Sequence, residues 1–587
     1  MKKITLIMVS LLTMATMASA QTNSLNNFKQ LYTKSYTGIV ADSANASRSN
    51  VMVYDADNSL FTSGRFDTEF EGLAPVAASS YVMKNDNTLT PVWKNVIAGA
   101  AKVNAMVSDN NGGVYVAGTL ADEVVFGSAD GKTITLTGYK ESDAYTTALC
   151  ASFIAHYDKD GNLLKANTIV PAHVPALDAK VDAYFPGEGD IYCRINGLAF
   201  EGGKLYASIV YSGQISSADN SVTILSGSMD IEGGGYFMTT LKAAAVASLD
   251  DNLGVASFPI TISSRQFTEL FTQEQVNTFT MTGNSNHLYL GFIATGTENY
   301  KCFGEDAKTF TFTAPATAAE GSVDFGYVVA DVDLSAQKTN VFKTWESTTT
   351  ESYDATEIGN IAVSGDNLIL SGIFQDKLGF DTNVAATASS DLYAASLKKS
   401  DLSVNWAKAS GYDEGESTKN EEIMTCSTIA GDNLYVGGYT AQKAKHSLTA
   451  PLLYAFNLST GAVVKETNET YDFGMATTAD NKVAAVAYTS CPATGLLSDT
   501  HFATYDLTTT GISNVKSDGN GVTATYDASA NVITFSKACN AAVITADGKV
   551  VAKVEKANAM NVQGLANGIY FVRTIANGAT STVKIIK

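Results

Sequence analysis

The ten residues GDNLYVGGYT, at positions 431–440, join a polar turn to an alternating apolar strand that ends in two glycines. Alternation of apolar and polar residues is typical of a half-buried β-strand. Related stretches recur at unequal intervals along the chain. Aligned on the residue that starts the strand, they are NSLFTSG (Leu60), GGVYVAG (Val114), GKLYASI (Leu205), NHLYLGF (Leu288), DNLILSG (Leu368), DNLYVGG (Leu434) and DNKVAAV (Lys482). Such recurrence predicts one supersecondary unit repeated with loops of variable length.

A second motif, an alternating strand followed by a turn and another strand, comes after most copies of the first. Examples are YVMKNDNTLTPVWK (81–94), FIAHYDKDGNLLKA (153–166) and YAASLKKSDLSVNWAK (393–408). Asp, Asn, Gly and Ser in the middle supply the conformations of a hairpin turn. All three tryptophans, Trp93, Trp345 and Trp406, fall on the last strand, and Phe258 takes a similar place. We expect these rings to pack one repeat against the next.

With one further strand before the first motif, each unit has about four strands. Seven such units in series predict an all-β fold, a seven-bladed β-propeller over residues 21–510, because radial closure removes exposed sheet edges. The seventh unit lacks a last strand, and FKQLYTKSYTG (28–38) resembles the last strands of other units. We therefore predict that the N-terminal strand closes the last blade. Long loops are expected at 120–148, 211–241 and 296–324.

The paired motifs resemble the bacterial seven-bladed propeller repeat of the SBBP type. The best match is DNNGGVYVAG (109–118) with AHYDKDGNLL (155–164), whereas DNKVAAV lacks the Tyr and the Gly. The resemblance covers roughly residues 25–510 and implies a fold more than a function.

The first twenty residues have the features of a secretory signal peptide. Lys2 and Lys3 precede a short apolar run, and Ala18-Ser19-Ala20 forms an A-x-A cleavage pattern. No later stretch is apolar enough for a transmembrane helix. The formal net charge of −20 disfavours nucleic acid and anionic lipid as partners. Six widely spaced cysteines indicate mostly buried free thiols, and one disulfide bridge is the alternative that the sequence leaves open.

From about Gly511 the pattern changes to short strands with turn signals, which predicts a small β-sandwich over 511–587. Three blocks, ADGKVV (546–551), GLANGIYFVR (564–573) and TVKIIK (582–587), follow in order. They are similar to the type A C-terminal sorting domain of the type IX (Por) secretion system. The resemblance implies an Ig-like sandwich, a secretion machinery as partner, and export to the medium or the outer-membrane surface. A terminal Ig-like module with no sorting role is the alternative.

The sequence contains no recognisable catalytic motif. The five histidines lack metal-binding spacing, and His156 and His287, which lie in repeat strands, are expected to be structural. Asp158-Lys159-Asp160-Gly161 and Asp55-Ala56-Asp57-Asn58 hint at calcium loops, but a hairpin turn is the favoured interpretation. No cofactor is predicted, and calcium is the alternative.

A Tyr-Asp pair recurs in the connectors ESYDATE (351–357), SGYDEGES (410–417) and ETYDFG (469–474). Equivalent connectors should lie on one face of the ring, where tyrosine rings and carboxylates can bind sugars or a cation. The candidate binding residues are Tyr353, Asp354, Tyr412, Asp413, Tyr471 and Asp472. The alternative is that Tyr-Asp only forms the entry turn of each repeat.

Two function classes follow from these observations. The favoured one is a non-catalytic secreted or cell-surface propeller that binds a glycan or a protein. The alternative is a propeller hydrolase or lyase acting on polysaccharide, which would need paired carboxylates in a central pocket. A fold alone does not decide between them.

Overall fold

The computed structural model is an all-β protein, which confirms the predicted fold class. It describes residues 25, 28–37, 39–40, 50–66, 68–74, 79–138, 151–172, 191–226, 242–264, 276–312, 323–349, 356–387, 389–410, 420–442, 447–466, 470–490, 499–508, 522, 524–527, 530–545, 549–566, 569–576 and 579–587. Across these ranges there is no α-helix, and so no helical segment that could span a membrane. Residues 32–504 form one compact unit, and residues 505–587 with 23–31 form a second.

The strands of the first unit group into seven antiparallel sheets, here named A to G. The chain begins with β1 (Lys29–Thr37). Sheet A has β2 (Ile39–Val40), β3 (Asn50–Tyr54), β4 (Leu60–Phe66), β5 (Ser80–Asn85) and β6 (Pro91–Ala98). Sheet B has β7 (Ala101–Ser108), β8 (Val114–Leu120), β11 (Ala151–Tyr157) and β12 (Leu163–Ile169); the hairpin β9 (Glu123–Gly127) and β10 (Thr133–Thr137) follows β8 in the chain but is hydrogen-bonded to sheet A. Sheet C has β13 (Tyr192–Glu201), β14 (Lys204–Ser212), β17 (Ala243–Leu249) and β18 (Val255–Ser264); the hairpin β15 (Gln214–Ser216) and β16 (Thr223–Leu225) follows β14 as a separate two-stranded sheet. Sheet D has β19 (Val276–Asn284), β20 (His287–Thr295), β23 (Val323–Asp333) and β24 (Lys338–Thr349); the hairpin β21 (Thr297–Cys302) and β22 (Lys308–Thr311) follows β20 but is hydrogen-bonded to sheet C. Sheet E has β25 (Glu357–Ser364), β26 (Asn367–Phe374), β29 (Asp391–Lys398) and β30 (Val404–Ala409); the hairpin β27 (Lys377–Leu378) and β28 (Asp381–Ala385) follows β26 as a separate two-stranded sheet. Sheet F has β31 (Asn420–Ala430), β32 (Asn433–Gln442), β33 (Ser447–Asn457) and β34 (Val463–Lys465), and sheet G has β35 (Thr470–Thr477), β36 (Val483–Ser490) and β37 (Asp499–Asp506).

Each sheet has a four-stranded meander in which consecutive strands are hydrogen-bonded, and the repeated motif of the sequence is its second strand. In sheet G the place beside β37 is taken by β1, so that the order is β1-β37-β36-β35. The first strands contact one another in chain order, from β3 through β7, β13, β19, β25 and β31 to β35, and β35 contacts β3. A buried apolar cluster lies between each pair of successive sheets, including G and A.

The glycine near the end of the repeated motif has a defined structural reason. In sheets B to G the first strand carries one extra residue, a β-bulge, opposite the motif. At Gly118, Gly372 and Gly438 a Cβ atom would collide with the backbone carbonyl of Lys102, Glu357 and Ile423 respectively, each one residue before the bulge. Only glycine allows the two backbones to approach this closely.

All three tryptophans pack against the following sheet or its inserted hairpin, as expected. Trp93 Nε1 donates to Lys159 O at 3.1 Å and Trp406 Nε1 donates to Leu458 O at 3.0 Å. Each of these two indoles lies under a hairpin glycine with positive φ. Trp345 packs on the ring of Phe380, in the β27–β28 hairpin, with ring centroids 4.9 Å apart. It is not in register with Trp93 and Trp406, which directly follow a bulge within their strands; the residue at that position of β24 is Val341.

The long loops contain structure of their own. Each inserted hairpin lies against the outer strand of the preceding sheet or its extension: β9 pairs with β6, Gln214 bridges Ala172 after β12, β21 pairs with β18, and β27 contacts β24. Covering these edges leaves fewer free backbone groups for edge-to-edge pairing.

The second unit contains a five-stranded antiparallel sheet. Its strands are β38 (Ala524–Asp527), β39 (Val532–Thr545), β40 (Val550–Asn561), β41 (Ile569–Ala576) and β42 (Ala579–Ile586). The long strand β39 pairs with β38, β40 and β41, and the core includes Ile533, Val543 and Val572. The last residue is anchored, because Lys587 Nζ donates to the carbonyls of Val562, Gln563 and Leu565.

Candidate functional site

The structure describes two of the six predicted binding residues, Tyr471 and Asp472. Tyr353, Asp354, Tyr412 and Asp413 lie outside the described residues. Tyr471 and Asp472 are in strand β35 rather than in a connector, and each is 4 % exposed. Their burial leaves little of either side chain for a ligand, and a role for the Tyr-Asp pairs stays a prediction.

A buried carboxylate, that of Glu422, lies where sheet E meets sheet F. In the sequence, Ser410 comes just before the connector that carries Tyr412 and Asp413, and Glu422 comes shortly after it. Glu422, on β31, is 1 % exposed, and its Oε2 accepts hydrogen bonds from Leu392 N and Ser410 Oγ, both at 2.6 Å. The main chain of Glu422 is also bound to sheet E, since its N donates to Ser390 O and its O accepts from Ser390 Oγ, each at 3.1 Å. Glu422 therefore joins the two sheets with both backbone and side chain.

Tyr454, on β33, brings a phenol to the same place. Its side chain is 1 % exposed and packs in the apolar cluster between sheets E and F. Burial, together with the nearby carboxylates of Glu422 and Asp391, raises the pKa of Tyr454 well above its ordinary value. The phenol consequently stays protonated at neutral pH and can donate a hydrogen bond.

Two further polar side chains lie at this end of sheet E. Asp391 is fully buried, and its Oδ2 accepts from Thr387 N at 2.8 Å and Thr387 Oγ1 at 3.0 Å. Gln375 follows Phe374, which pairs with Asp391 across the sheet. Gln375 is 2 % exposed, and both polar atoms of its amide lack a hydrogen-bond partner. We call Gln375, Asp391, Ser410, Glu422 and Tyr454 the E/F polar cluster.

Two residues of the E/F polar cluster, Glu422 and Tyr454, differ from the residues that occupy the same strand-pairing positions in other sheets. Glu422 is two residues before the bulge, and the residues at that position in sheets B, C, E and G are Ala101, Cys193, Thr356 and Thr470. Tyr454 pairs with the third residue of the motif, where sheets B to E have Ala155, Ala247, Ala330 and Ala395. Large polar groups thus replace small side chains at this interface.

Sequence reasoning missed Glu422 and Tyr454 for an understandable reason. Glu421-Glu422 looks like a solvated pair of acids, and Tyr454 looks like an ordinary strand residue. A signal existed, because aligning the repeats column by column shows the change from alanine to tyrosine. The position of Glu422 is harder to find, because the bulge shifts the alignment of the first strands by one residue and is not visible in the sequence.

The histidines in the repeat strands each bind a carboxylate. His156 Nε2 is 2.9 Å from Asp109 Oδ2, and His287 Nδ1 is 2.6 Å from Asp331 Oδ1. The His156 ring also stacks on Tyr115, with ring centroids 4.1 Å apart. These contacts fit the structural role that the sequence predicts.

The two acidic turns considered for calcium use their oxygens within the protein. Lys84 Nζ is 4.0 Å from Asp55 Oδ2 and 3.6 Å from Asp57 Oδ2. Asp158 Oδ1 accepts from the amides of Asp160 and Asn162, which closes the β11–β12 turn. Among the residues that the structure describes, no three of His, Cys, Asp and Glu form a metal-binding group.

Comparison with known proteins identifies the C-terminal segment. Residues 528–587 match the family described as the secretion system C-terminal sorting domain. This confirms the predicted sorting domain and marks the chain as exported by the type IX system to the cell surface or the medium. Interaction with that secretion machinery follows from the same match.

Several solved structures are distantly similar to the chain. No curated protein matches the chain. A streptogramin B lyase structure is 9 % identical, with 81 % of this chain and 97 % of that chain covered and a TM-score of 0.30. A protein of unknown function from Dyadobacter fermentans is 7 % identical, with 82 % and 99 % covered and a TM-score of 0.33. An α-L-arabinofuranosidase from Fusarium graminearum is 10 % identical, with 81 % and 98 % covered and a TM-score of 0.28. Scores this low carry no functional argument.

Proposed function

We propose that this protein is a non-catalytic binding protein, exported through its sorting domain, whose ligand site lies at the connector end of sheets E and F. The single observation that carries the proposal is the E/F polar cluster. Here a glutamate and a tyrosine stand at positions where sheets B, C and E have small side chains, although sheet A has Met83 at the position of Tyr454. Buried polar groups are costly unless bonded, so a departure of this kind favours a function over packing.

We further propose that the first unit is a seven-bladed β-propeller of the SBBP type, with sheets A to G as its blades, residues 21–510 as its bounds and β1 as the closing strand. The contact of each sheet with the next, and of sheet G with sheet A, supports this arrangement. For residues 511–587 we propose an Ig-like sandwich, supported by the pairing of β39 with three strands.

The ligand class that best suits the site is a glycan, with a protein as the alternative. Tyr412 and Asp413 follow Ser410, a member of the E/F polar cluster, by two and three residues in the sequence, and we propose them as ligand contacts of this site. Tyrosine rings can stack on sugar rings, while carboxylates and amides bind hydroxyl groups. Tyr353 and Asp354 would contribute in the same way from the preceding connector.

A glycan array with the purified chain tests the proposal. We expect binding to a restricted set of glycans, and loss of at least about tenfold in affinity for the Tyr412→Ala/Asp413→Ala double variant with an unchanged melting temperature. Lys132→Ala/Asp130→Ala, which alters an exposed ion pair on the β9–β10 hairpin, is the matched control. Lower stability of the double variant with unchanged binding would instead assign the Tyr-Asp pair to folding.

A polysaccharide hydrolase or lyase is the second candidate, favoured by the two buried carboxylates Asp391 and Glu422 near the Tyr454 phenol. Paired carboxyl groups carry out glycoside hydrolysis when a sugar can enter between them. Incubating the array glycans with the chain and measuring reducing ends distinguishes the two functions. Release that is abolished in Glu422→Gln, with binding retained, would establish the enzyme.

A further inference from the structure

Sheet G differs from the other six because one of its strands, β1, comes from a point in the chain far from the other three. In sheets A to F the fourth strand follows the third through a short turn or loop, whereas β1 comes from the N-terminal end of the chain. Ser35 and His501, which are in contact across this seam, are 466 residues apart in sequence. The pairing of β1 with β37 therefore lacks the entropic advantage of a local turn.

The described side chains of β1 are also weakly embedded. Among residues 29–36 only Tyr36 is buried, at 3 % exposure, with Phe70 and Phe502 at ring-centroid distances of 5.7 and 5.6 Å. The other side-chain contacts are on the surface: Ser35 Oγ lies 2.6 Å from His501 Nδ1, and Lys34 Nζ lies 3.5 Å from Glu71 Oε1.

The fourth strand of sheet A shows the contrast. Strand β6 buries Trp93, Asn95 and Ile97, and Trp93 and Asn95 also hydrogen-bond to the next sheet. Tyr36 is the one buried aromatic residue within β1, and Phe28, just before the strand, is also 3 % exposed, whereas packing, polar contacts and a covalent turn hold β6. Local opening has the lowest free energy where buried apolar contacts are fewest.

We infer that β1 is an exchangeable strand: when it leaves, the edge of β37 binds the equivalent segment, residues 28–38, of a second copy of this chain. The second copy is the fitting partner because its segment restores every contact, including the insertion of Tyr36 between Phe70 and Phe502. Exchange of an identical element is a low-cost route to association. The seam is thus an interaction surface for the protein itself, independent of any glycan site.

Disulfide trapping tests the inference at the Ser35–His501 contact. A synthetic peptide of residues 28–38 with Ser35→Cys is incubated with the full chain carrying His501→Cys under mild oxidant. We expect the variant chain to gain the mass of one peptide faster than the wild-type chain does. Mixing full-length Ser35→Cys with full-length His501→Cys should likewise give a cross-linked dimer.

Changes in the peptide separate a seated strand from non-specific capture without affecting the fold of the protein. Tyr36→Ala in the peptide should slow trapping by at least about tenfold, since truncating a central aromatic anchor weakens an interface by this order. Tyr32→Ala, whose ring is 43 % exposed, is the matched control and should trap at the original rate.

One further variant makes a negative result decisive. The chain carrying both Ser35→Cys and His501→Cys should form the internal disulfide under the same oxidant. If it does and no peptide is trapped above the wild-type level, the exchange inference is wrong. Equal trapping of the Tyr32→Ala and Tyr36→Ala peptides would also overturn it.

Discussion

The A/B and E/F interfaces are alike at one end and different at the other. At the hairpin end Trp93 and Trp406 each lie under a glycine and donate to a carbonyl of the next sheet. At the connector end both have a serine that donates to the following first strand, Ser80 to Ala101 O and Ser390 to Glu422 O. Only E/F adds the buried carboxylate and the phenol.

The comparison of A/B with E/F separates the side chains that folding requires from those that it does not. The indole and the serine recur at both interfaces because they fix the spacing between sheets. Alanine suffices at the position of Glu422 in sheet B, so the carboxylate is not needed to join two sheets. We therefore expect changes at the hairpin end to affect stability alone, and changes in the E/F polar cluster to affect binding as well.

The largest expected effect is at the hairpin glycine. Gly161 has φ +83°, and a Cβ there would lie 2.7 Å from the Trp93 ring. Gly131 has nearly the same φ, +81°, with no atom within 4 Å of its Cβ position. Gly161→Ala should lower the free energy of unfolding by about 3–4 kcal/mol, from backbone strain and overpacking, and Gly131→Ala by about 1–2 kcal/mol, from strain alone.

Urea unfolding of the two glycine variants measures the difference. A gap of about 2 kcal/mol assigns the excess to the indole contact. Equal destabilisation would mean that Trp93 moves aside without cost, and the tryptophan would no longer explain the A/B spacing.

The next effect concerns the carboxylate that distinguishes E/F. Glu422→Ala leaves Leu392 N–H and the Ser410 hydroxyl without their acceptor in a buried site, which should cost about 3 kcal/mol. Glu422→Gln retains an acceptor oxygen and should cost about 1 kcal/mol. Ser80→Ala removes the repeated serine bond at A/B and provides the reference, also at about 1 kcal/mol.

Chemical denaturation of these three variants decides whether Glu422 is a structural addition to the interface. If Glu422→Ala lowers the free energy of unfolding by no more than Ser80→Ala does, water replaces the two hydrogen bonds of the carboxylate. The site would then be more open than the buried side chains indicate.

These interfaces also show which parts of the molecule the sequence could predict. GDNLYVGGYT and its relatives identified the second strand of each sheet, because alternation and turn residues are local signals. The Trp-bearing hairpins were visible for the same reason. Trp345 lies four residues beyond Val341, the residue in register with Trp93 and Trp406, because β24 is a twelve-residue strand and membership of the last strand does not fix the position within it. Glu422 and Tyr454 escaped notice because burial at a contact between sheets depends on residues distant in sequence.

A smaller effect is expected from converting one interface into the other type. At D/E, Val341 occupies the place of Trp93, and the hairpin residue is Leu402, which is fully buried with φ +54°. Val341→Trp alone should overpack and Leu402→Gly alone should leave a cavity. Combined, they should recover about 1–2 kcal/mol relative to the sum of the single effects, because the indole fills the space of the leucine.

A double-mutant cycle from urea midpoints gives the coupling. The pair Val341→Trp with Gly131→Ala, a distant site, is the control and should be additive. Additivity of the D/E pair itself would show that the hairpin residue and the fourth-strand residue do not share one space.

The smallest effect is at sheet C, where Cys193 holds the position of Glu422. Cys193 is free and fully buried, and burial raises the pKa of its thiol to about 12. The reactive thiolate is therefore scarce at pH 8 and increases about tenfold for each pH unit toward 12.

We expect native protein to leave Cys193 unmodified by iodoacetamide at pH 8, whereas the protein in urea reacts. Peptide mass mapping identifies the site, with Cys193→Ala, the residue of sheet B, as control. Rapid native labelling would mean that the B/C interface opens at the position where E/F carries its carboxylate. The small side chains of the other sheets would then mark a flexible seam instead of a closed one.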